Sequence, residues 1–491
     1  MKIVSCFVRE QKRYTKNQLK SMFSYDEKGV EKFIKTLKAY GILKTVHNNA
    51  DQMELSDLLE EDLTVTDESV DNNSCLYVFN YVGILVLGSR IIKCYPKYIL
   101  SKNENDKTLL QDMIQIIKVL EKYNHSSEQI INFLFNDGER NNFNILAIML
   151  YLLNDYYEYG VYNNSEDIVE VNGEGPILWE RTINNGFAIF QDNRPYYVET
   201  YTSKNIDDEE DYIKNLHECI LTRCSDQLES CHLDEIFEIE PVFLSENQIE
   251  DFGDKEYILD RILKELNLQY NTRRQTLLKT MYAYIANDGK LMEDTNTISM
   301  FGTTGFHMVW EKVCSEVFDN KLHTCLSNIH MKKPLSLQYD RKSKLIDIIE
   351  KPLWECFDVK KESKETFIPD LIAVEQMDGE DYFIILDAKY YNLQLEKNKK
   401  LKGNPGISDI SKQYLYQLAY QDFLSKQGIT HIKNYFLMPT EEDNVIDKGC
   451  VSLRMMKELG LEDIQIRFIP AKKMYELYLS NRQLDVVKCL M

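Results

Sequence analysis

Between residues 367 and 389 the chain reads Phe367-Ile-Pro-Asp370-Leu-Ile-Ala-Val374, then Glu-Gln-Met377-Asp-Gly-Glu380-Asp, then Tyr382-Phe-Ile-Ile-Leu386-Asp387-Ala-Lys389. Two apolar runs separated by Met377-Asp-Gly-Glu380 predict a β-hairpin. Runs this apolar belong in the middle of a sheet covered on both faces, where a charged side chain is costly unless it is paired or bound to a metal. Yet Asp370 lies inside the first run, and Asp387 and Lys389 close the second. Because side chains alternate along a strand, Asp387 and Lys389 share one face and Ala388 points the other way.

That placement constrains chemistry as well as fold. Two aspartates on adjacent strands make half a shell for a hard divalent cation such as Mg2+, for which Mn2+ is the usual substitute. A lysine beside them can orient or help deprotonate an attacking water, or stabilise charge that develops on a phosphate. The layout therefore predicts a metal-dependent site for cleaving phosphodiester bonds. The plainer alternative is a salt bridge between Asp387 and Lys389.

Two flanking helices are expected. Gly305 to Phe318 places Phe306, Val309, Trp310, Val313, Cys314 and Val317 on one side, with Glu311 beside that stripe as a third carboxylate. Downstream, Asp409, Gln413, Tyr416, Gln417 and Tyr420 recur at spacings of three and four, a polar and aromatic row that could face the site and touch DNA.

At these residues the chain resembles the PD-(D/E)XK nucleases, and more closely the LlaJI family of restriction endonucleases, which are similar to the nuclease subunit McrC. The resemblance rests on Trp310-Glu311, Pro369-Asp370, Asp387-Ala-Lys389-Tyr-Tyr391 and Asp409-Ile-Ser-Lys412-Gln413, with weaker landmarks at Cys94-Tyr-Pro96-Lys97-Tyr98 and around Gly173 to Thr182. It implies Mg2+-dependent cleavage of double-stranded DNA, in a system where a separate McrB-like AAA GTPase drives the nuclease. Carried over by motif, Asp370 and Asp387 bind metal, Lys389 is catalytic, and Glu311 is the helix acid that completes the metal shell. One position departs from the related RecB-like nucleases, which have Gln and Tyr four apart: here Gln417 follows Gln413.

The net charge of −21 is unusual for a DNA enzyme, since phosphate contacts supply most non-specific affinity. Much of the acid falls between Asp51 and Asp71 and at Asp207 to Asp211, whereas Lys397, Lys399, Lys400 and Lys402 gather just past the D-x-K strand, where DNA would approach. The overall acidity predicts weak binding to random DNA and a partner or specificity domain that brings the enzyme to its target. The chain carries no G-x-x-x-x-G-K-[ST] loop, so any nucleotide dependence would come from another protein. Double-strand cleavage needs two active sites, so a dimer or higher assembly is expected.

Eleven scattered cysteines fit a reducing compartment better than a disulfide framework. The closest cluster, His217, Cys219, Cys224, Cys231 and His232, lacks the short spacings of structural zinc sites and reads as helical core. No apolar run approaches a membrane span, and the first residues lack a signal-peptide core, so the expected location is the cytoplasm.

The expected class is α/β and multidomain. Residues 1–50 suggest a winged-helix-like domain: a short helix after Thr15, a longer one with Val30, Phe33, Ile34 and Leu37 on one face, Gly41 as its stop, and a wing strand. Its lysines, Lys28, Lys32, Lys35 and Lys38, lie off the apolar stripe, available to phosphate or to a protein. Residues 51–74 read as an acidic linker, 75–295 as a mixed α+β middle region for DNA or partner contacts, and 296–491 as the PD-(D/E)XK core, a mixed sheet flanked by helices. The competing functional reading is a winged-helix DNA-binding regulator, or an adaptor, carrying an inactive nuclease-like domain.

Overall fold

A computed structural model describes residues 3–47, 75–102, 108–125, 144–163, 166–173, 175–191, 194–206, 211–292, 298–398 and 400–490. The chain forms two compact units: Met1–Asn141 together with Thr295–Met491, and Asn142–Asp294.

The first unit begins with β1 (Val4–Arg9), β2 (Arg13–Tyr14), α1 (Lys16–Met22), α2 (Glu27–Ala39), β3 (Leu43–His47) and β4 (Cys75–Phe79). Thr15 and Gln18 cap α1 reciprocally: the Thr15 hydroxyl accepts from Gln18 N–H at 3.2 Å, and the Gln18 side chain accepts from Thr15 N–H at 2.8 Å. Asp26 caps α2 by accepting from Gly29 N–H at 2.7 Å. Val30, Phe33, Ile34 and Leu37 are buried as the periodicity predicts. Gly41, at φ 70°, stops α2 while Ile42 N–H returns to Leu37 O at 3.0 Å, the bond of a left-handed helix end. A three-stranded sheet ordered β2-β4-β3 accompanies the two helices. Its last strand therefore lies beyond residue 50, across the acidic segment 51–74, which falls outside the described residues.

Next come β5 (Val82–Leu87), β6 (Arg90–Tyr95) and α3 (Leu109–His125). Then the chain enters the second unit, with α4 (Ile145–Tyr159), β7 (Glu166–Val171), α5 (Trp179–Asn185), β8 (Ala188–Gln191), β9 (Arg194–Tyr197), β10 (Tyr201–Ile206), α6 (Tyr212–Ser230), α7 (Asp234–Phe237), α8 (Lys255–Leu268) and α9 (Thr272–Ala286). Here α9 packs on α8 and α4, and two antiparallel pairs form, β7 with β10 and β8 with β9. Arg273 grips the buried Asp155 with two hydrogen bonds, 2.9 and 2.7 Å long. His217 is wholly buried and accepts from Tyr162 N–H at 3.0 Å; burial, with a smaller push from Arg273, lowers its pKa to about 3. Cys219, Cys224 and Cys231 are free, buried thiols of the core.

The rest of the first unit comprises β11 (Ile298–Thr303), α10 (Phe306–Val317), β12 (Leu353–Cys356), β13 (Val359–Glu362), β14 (Leu371–Met377), β15 (Glu380–Ala388), α11 (Ile407–Gln427), β16 (His431–Thr440), β17 (Ile446–Val451), α12 (Arg454–Glu458), β18 (Ile464–Pro470), α13 (Ala471–Leu479) and α14 (Val486–Leu490). Strand β11 joins β5 in a four-stranded sheet ordered β1-β6-β5-β11. A side chain on Gly83 would meet Phe301 O at 2.2 Å, and one on Gly302 would meet Val82 O at 2.2 Å, so both positions demand glycine. The β5–β11 ladder ties residues on either side of the expected limit at residue 295 into one unit.

A five-stranded mixed sheet ordered β14-β15-β16-β18-β17 forms the second layer, with β15, β16 and β18 parallel and the two edge strands antiparallel. On one face, Tyr416, Tyr420, Phe423 and Leu424 of α11 pack against Ile372, Val374, Phe383 and Ile385. Toward the other, Trp310 of α10 is fully buried, donates its ring N–H to Leu437 O at 3.2 Å and meets Tyr475 edge-on at 6.3 Å. A mixed sheet flanked by helices is thus present where the sequence places it, and the chain as a whole is mixed α/β. No described helix is long and apolar enough to cross a membrane.

Candidate active site

The central hairpin sets the site. Asp378 and Gly379 both take positive φ, 53° and 76°, in a tight two-residue Asp-Gly turn that fixes the register Leu371 opposite Leu386. One step further along that ladder, Asp370 stands beside Asp387. Strand β14 starts at Leu371 and not at Phe367, because Pro369 offers no ladder N–H and Phe367 and Ile368 are exposed.

Asp370 is held from both sides. Its carboxylate accepts from Ala388 N–H at 3.1 Å, and its backbone carbonyl accepts from the Asn320 amide at 2.9 Å. Asn320 in turn accepts from Ile372 N–H at 3.1 Å and Leu322 N–H at 3.0 Å. Asp387 is buried, and the Lys389 ammonium lies 3.1 Å from its Oδ2 and 3.1 Å from Oδ1 of Asp409, on α11. Lys389 and Asp387 share the α11 side of the strand, as the alternation predicts.

The electrostatics follow from crowding acids in a dry place. Burial, then the hydrogen bond and charge of Asp370, push the Asp387 carboxyl well above the usual range, and Lys389 only partly opposes this. Burial pulls the Lys389 ammonium down, but Asp387, Asp409 and Asp370 outweigh it and leave the group above its ordinary range, so it stays charged. Glu311 on α10 is half-buried; burial, then Asp370, raise it to about 7. Tyr416, which donates to Ile368 O at 3.1 Å, is pushed to about 12 by burial and by Asp387 and Asp370. Two hydrogen-bonded carboxyls in a low-dielectric pocket need either a shared proton or a cation between them.

Asp370 and Asp387 therefore suit a hard divalent cation, which commonly takes one or two carboxylates and keeps its waters. Among the described residues no three His, Cys, Asp or Glu side chains are already placed to hold a metal ion together. Glu311 feels the pair electrostatically but is not gathered with it into a ready cage.

A stability consequence follows for the metal-free protein. Glu311 has an ordinary value of 4.5 and a folded value near 7, so the folded chain keeps a proton that the unfolded chain has lost across that window. Stability attributable to this group therefore falls as pH rises from about 4.5 to 7, and the deficit is complete above it. Glu311→Gln is expected to stabilise the metal-free protein at pH 8 by about 1 kcal/mol, a figure reduced for solvent screening of a half-exposed group, and to gain little at pH 5. Urea unfolding in chelator at both pH values checks this; an equal offset at both would refute it.

Other expected contacts fare differently. Gln413 is fully buried, its amide directed at Ile385 O and Tyr435 O at 3.5 and 3.4 Å, so it offers no exposed surface. Gln417 is also buried and accepts from Glu462 N–H at 3.2 Å. The row fails as a DNA-facing surface because α11 lies flat on the sheet, yet it delivers Asp409 to Lys389. Lys397 and Lys400 are exposed on a loop closed by the Gln394–Lys402 backbone pair, directly after the site strand; Lys399 lies outside the described residues.

Sequence reasoning missed a buried strut behind the site. The Tyr390 hydroxyl donates to Glu10 Oε2 at 2.6 Å, Lys97 N–H donates to the same oxygen at 3.1 Å, and the Asn392 amide donates to Lys97 O at 2.9 Å. The Lys97 ammonium sits 4.7 Å from the centre of the Tyr390 ring. Lys97 belongs to the Cys94–Tyr98 segment singled out above; nothing local to Glu10 signals its part.

The family model of the LlaJI restriction endonucleases matches residues 81–472 of this chain. The type II restriction enzyme BsuMI component YdjA of Bacillus subtilis (strain 168) is 31% identical over 423 residues, spanning 82% of this chain and 81% of that protein. Among solved structures, a half-complex from the tetradecameric assembly of Thermococcus gammatolerans McrB AAA+ hexamers with bound McrC aligns over 97% of this chain and 99% of the matched chain, at 14% identity and a TM-score of 0.36. The cryo-EM structure of the Thermococcus gammatolerans McrBC complex aligns over 63% of this chain and 86% of the matched chain, at 12% identity and a TM-score of 0.25. These structural likenesses are too weak to bear on fold or partners.

Proposed function

The chain belongs to the LlaJI restriction endonuclease family, and from that premise we propose that it is the Mg2+-dependent nuclease subunit of a restriction system, hydrolysing phosphodiester bonds of double-stranded foreign DNA. The observation that carries the reading is the buried Asp387 carboxyl against the half-buried Asp370, with Lys389 bridging Asp387 to Asp409. A salt bridge alone would need one carboxylate; a second one, half-buried and hydrogen-bonded to the first, raises the energy of the metal-free site.

Asp370 and Asp387 are the groups that would hold the ion, and Mn2+ would serve in place of Mg2+. When bound, such an ion polarises the phosphate and acidifies water. The chain's own groups do the rest. Ala388 N–H and the Asn320 amide fix Asp370, so its carboxylate keeps one orientation. Lys389 has three N–H donors, of which Asp387 and Asp409 occupy two; the third is available to a phosphate oxygen as negative charge grows there. Glu311, with a pKa near 7, can hold or release a proton close to neutral pH. Lys397 and Lys400 offer exposed charge to the DNA backbone beyond the site.

The net charge of −21 and the absence of a phosphate-binding loop favour cutting on instruction from a partner, which we take to be an AAA-type GTPase, and the enzyme would act as a dimer or higher assembly. The test is covalently closed plasmid incubated with the purified chain and Mg2+, with and without that GTPase and GTP. Linear product that vanishes with chelator is expected. No cleavage with the partner, nucleotide and Mg2+ or Mn2+ all present would overturn the reading, as would calorimetry that finds no cation binding at the acid pair.

A further inference from the structure

The segment just before Pro369-Asp370 carries a feature that the site does not use. Strands β12 and β13 pair only with each other, with Cys356 opposite Val359 across a Phe357-Asp358 loop, and every residue from Lys351 to Glu362 is exposed. Exposure reaches 72% at Trp354 and 100% at Phe357, and Leu353 and Val359 are more than half exposed. A free-standing two-stranded ribbon is marginal in water, and an aromatic tip left in solvent marks a surface built to be covered.

Its two faces differ. Register places Trp354 opposite Lys361 and Cys356 opposite Val359 on one face, and Leu353 opposite Glu362 and Glu355 opposite Lys360 on the other. On the second face Glu355 and Lys360 neutralise each other at 2.5 Å. On the first, Lys361 has no acidic partner among the described residues, so that face is apolar with an uncompensated cation. The surroundings share the bias: from residue 332 to 364, nine Lys and Arg outnumber six Asp and Glu, in a chain whose net charge is −21. The ribbon's base is fastened, by Ser363 N–H to Pro352 O at 2.8 Å and the Thr366 hydroxyl to Glu350 O at 2.7 Å. Only eight positions separate Glu362 from Asp370, a reach of at most about 28 Å even if fully extended.

We propose that the ribbon Leu353–Glu362 is a DNA wedge, whose Trp354 face enters a groove of the substrate duplex beside the scissile phosphate, Trp354 and Phe357 stacking on bases and Lys361 meeting the backbone. A two-stranded ribbon fits the major groove, apolar side chains wedge between base steps, and base–aromatic stacking tolerates any sequence. The proposal rests on the nuclease reading of the Asp370–Asp387–Lys389 site and names the part of the chain that presents DNA to it.

The experiment measures duplex binding by full-length protein carrying Asp387→Asn, so that binding is read without cleavage. A labelled 30-base-pair duplex is titrated at several salt concentrations. Adding Trp354→Ala and Phe357→Ala together is expected to weaken binding roughly ten-fold or more with the salt slope unchanged, whereas Lys361→Ala lowers the slope by about one. Circular dichroism should not change, since these side chains support no core. Undetectable duplex binding by the parent Asp387→Asn protein, or equal affinity with and without the ribbon substitutions, would overturn the wedge. Loss of partner-stimulated cleavage with duplex affinity intact would also overturn it, by assigning the ribbon to a protein. Ribbon-dependent binding alongside a wild-type chain that never cuts would support the wedge and remove the nuclease reading instead.

Discussion

Asp387→Asn is expected to lower Mg2+-dependent cleavage by roughly 10³-fold, and Asp370→Asn by a similar factor, because either change removes one of the two carboxylates that would hold the ion. Lys389→Ala is expected to lose on the order of 10²–10³, and Lys389→Arg should not restore it, since a planar guanidinium cannot sit between Asp387 and Asp409 as a compact ammonium does. The stability responses separate catalysis from scaffolding. Without a cation, Asp387→Asn removes a buried acid crowded by Asp370 and should leave the melting temperature at pH 8 equal to or above the wild type. Lys389→Ala removes the cation that bridges Asp387 and Asp409, so the melting temperature should fall. If Asp387 and Lys389 were merely a strut in an adaptor, both substitutions would destabilise and no Mg2+-dependent cleavage would exist to lose. Melting curves and plasmid cleavage on the same preparations decide between these outcomes.

The site was legible where its causes are local. An apolar run, Asp-Gly, an apolar run and D-x-K specify a hairpin with acids at one end, and the structure delivers β14, its turn and β15 within a few residues of the expected limits. The same holds for α10, α13 and β18, whose patterns are periodic over their own length. What escaped depends on distant partners. Residues 298–303 form a strand only because residues 82–87 lie beside them, and Gly302 is required only because Gly83 faces it. The sequence pattern puts Gln413 in a polar and aromatic row that could face the site, but its burial is decided by how α11 lies across β15 and β16. Asp409 was visible as part of that row, but its role needs Lys389 brought within 3.1 Å.

The strut that joins the two ends of the first unit should show the largest stability effect. Glu10 follows β1 and Tyr390 follows Lys389, and the two meet in a buried cluster with Lys97 and Asn392, at 2.6 Å from hydroxyl to carboxylate. Glu10→Leu strips the carboxylate acceptor from both the Tyr390 hydroxyl and Lys97 N–H, while the Lys97 ammonium keeps its hydrogen bond to Gln11 Oε1 at 3.2 Å. The expected cost is about 3–5 kcal/mol, the range for breaking a buried charged network from one side. Glu10→Gln keeps an acceptor oxygen in the same place and should lose only about 1 kcal/mol. Chemical denaturation measures both; near-equal losses would show that volume, and not the polar network, holds this junction. Tyr390 is the next residue after Lys389, so loosening the strut also frees the backbone that aims the ammonium. At temperatures where Glu10→Leu remains folded, its cleavage rate should fall while its affinity for duplex DNA holds, and Glu10→Gln should recover most of the rate. A fall in affinity with the rate preserved would place the strut's effect in DNA binding and not in the aim of Lys389.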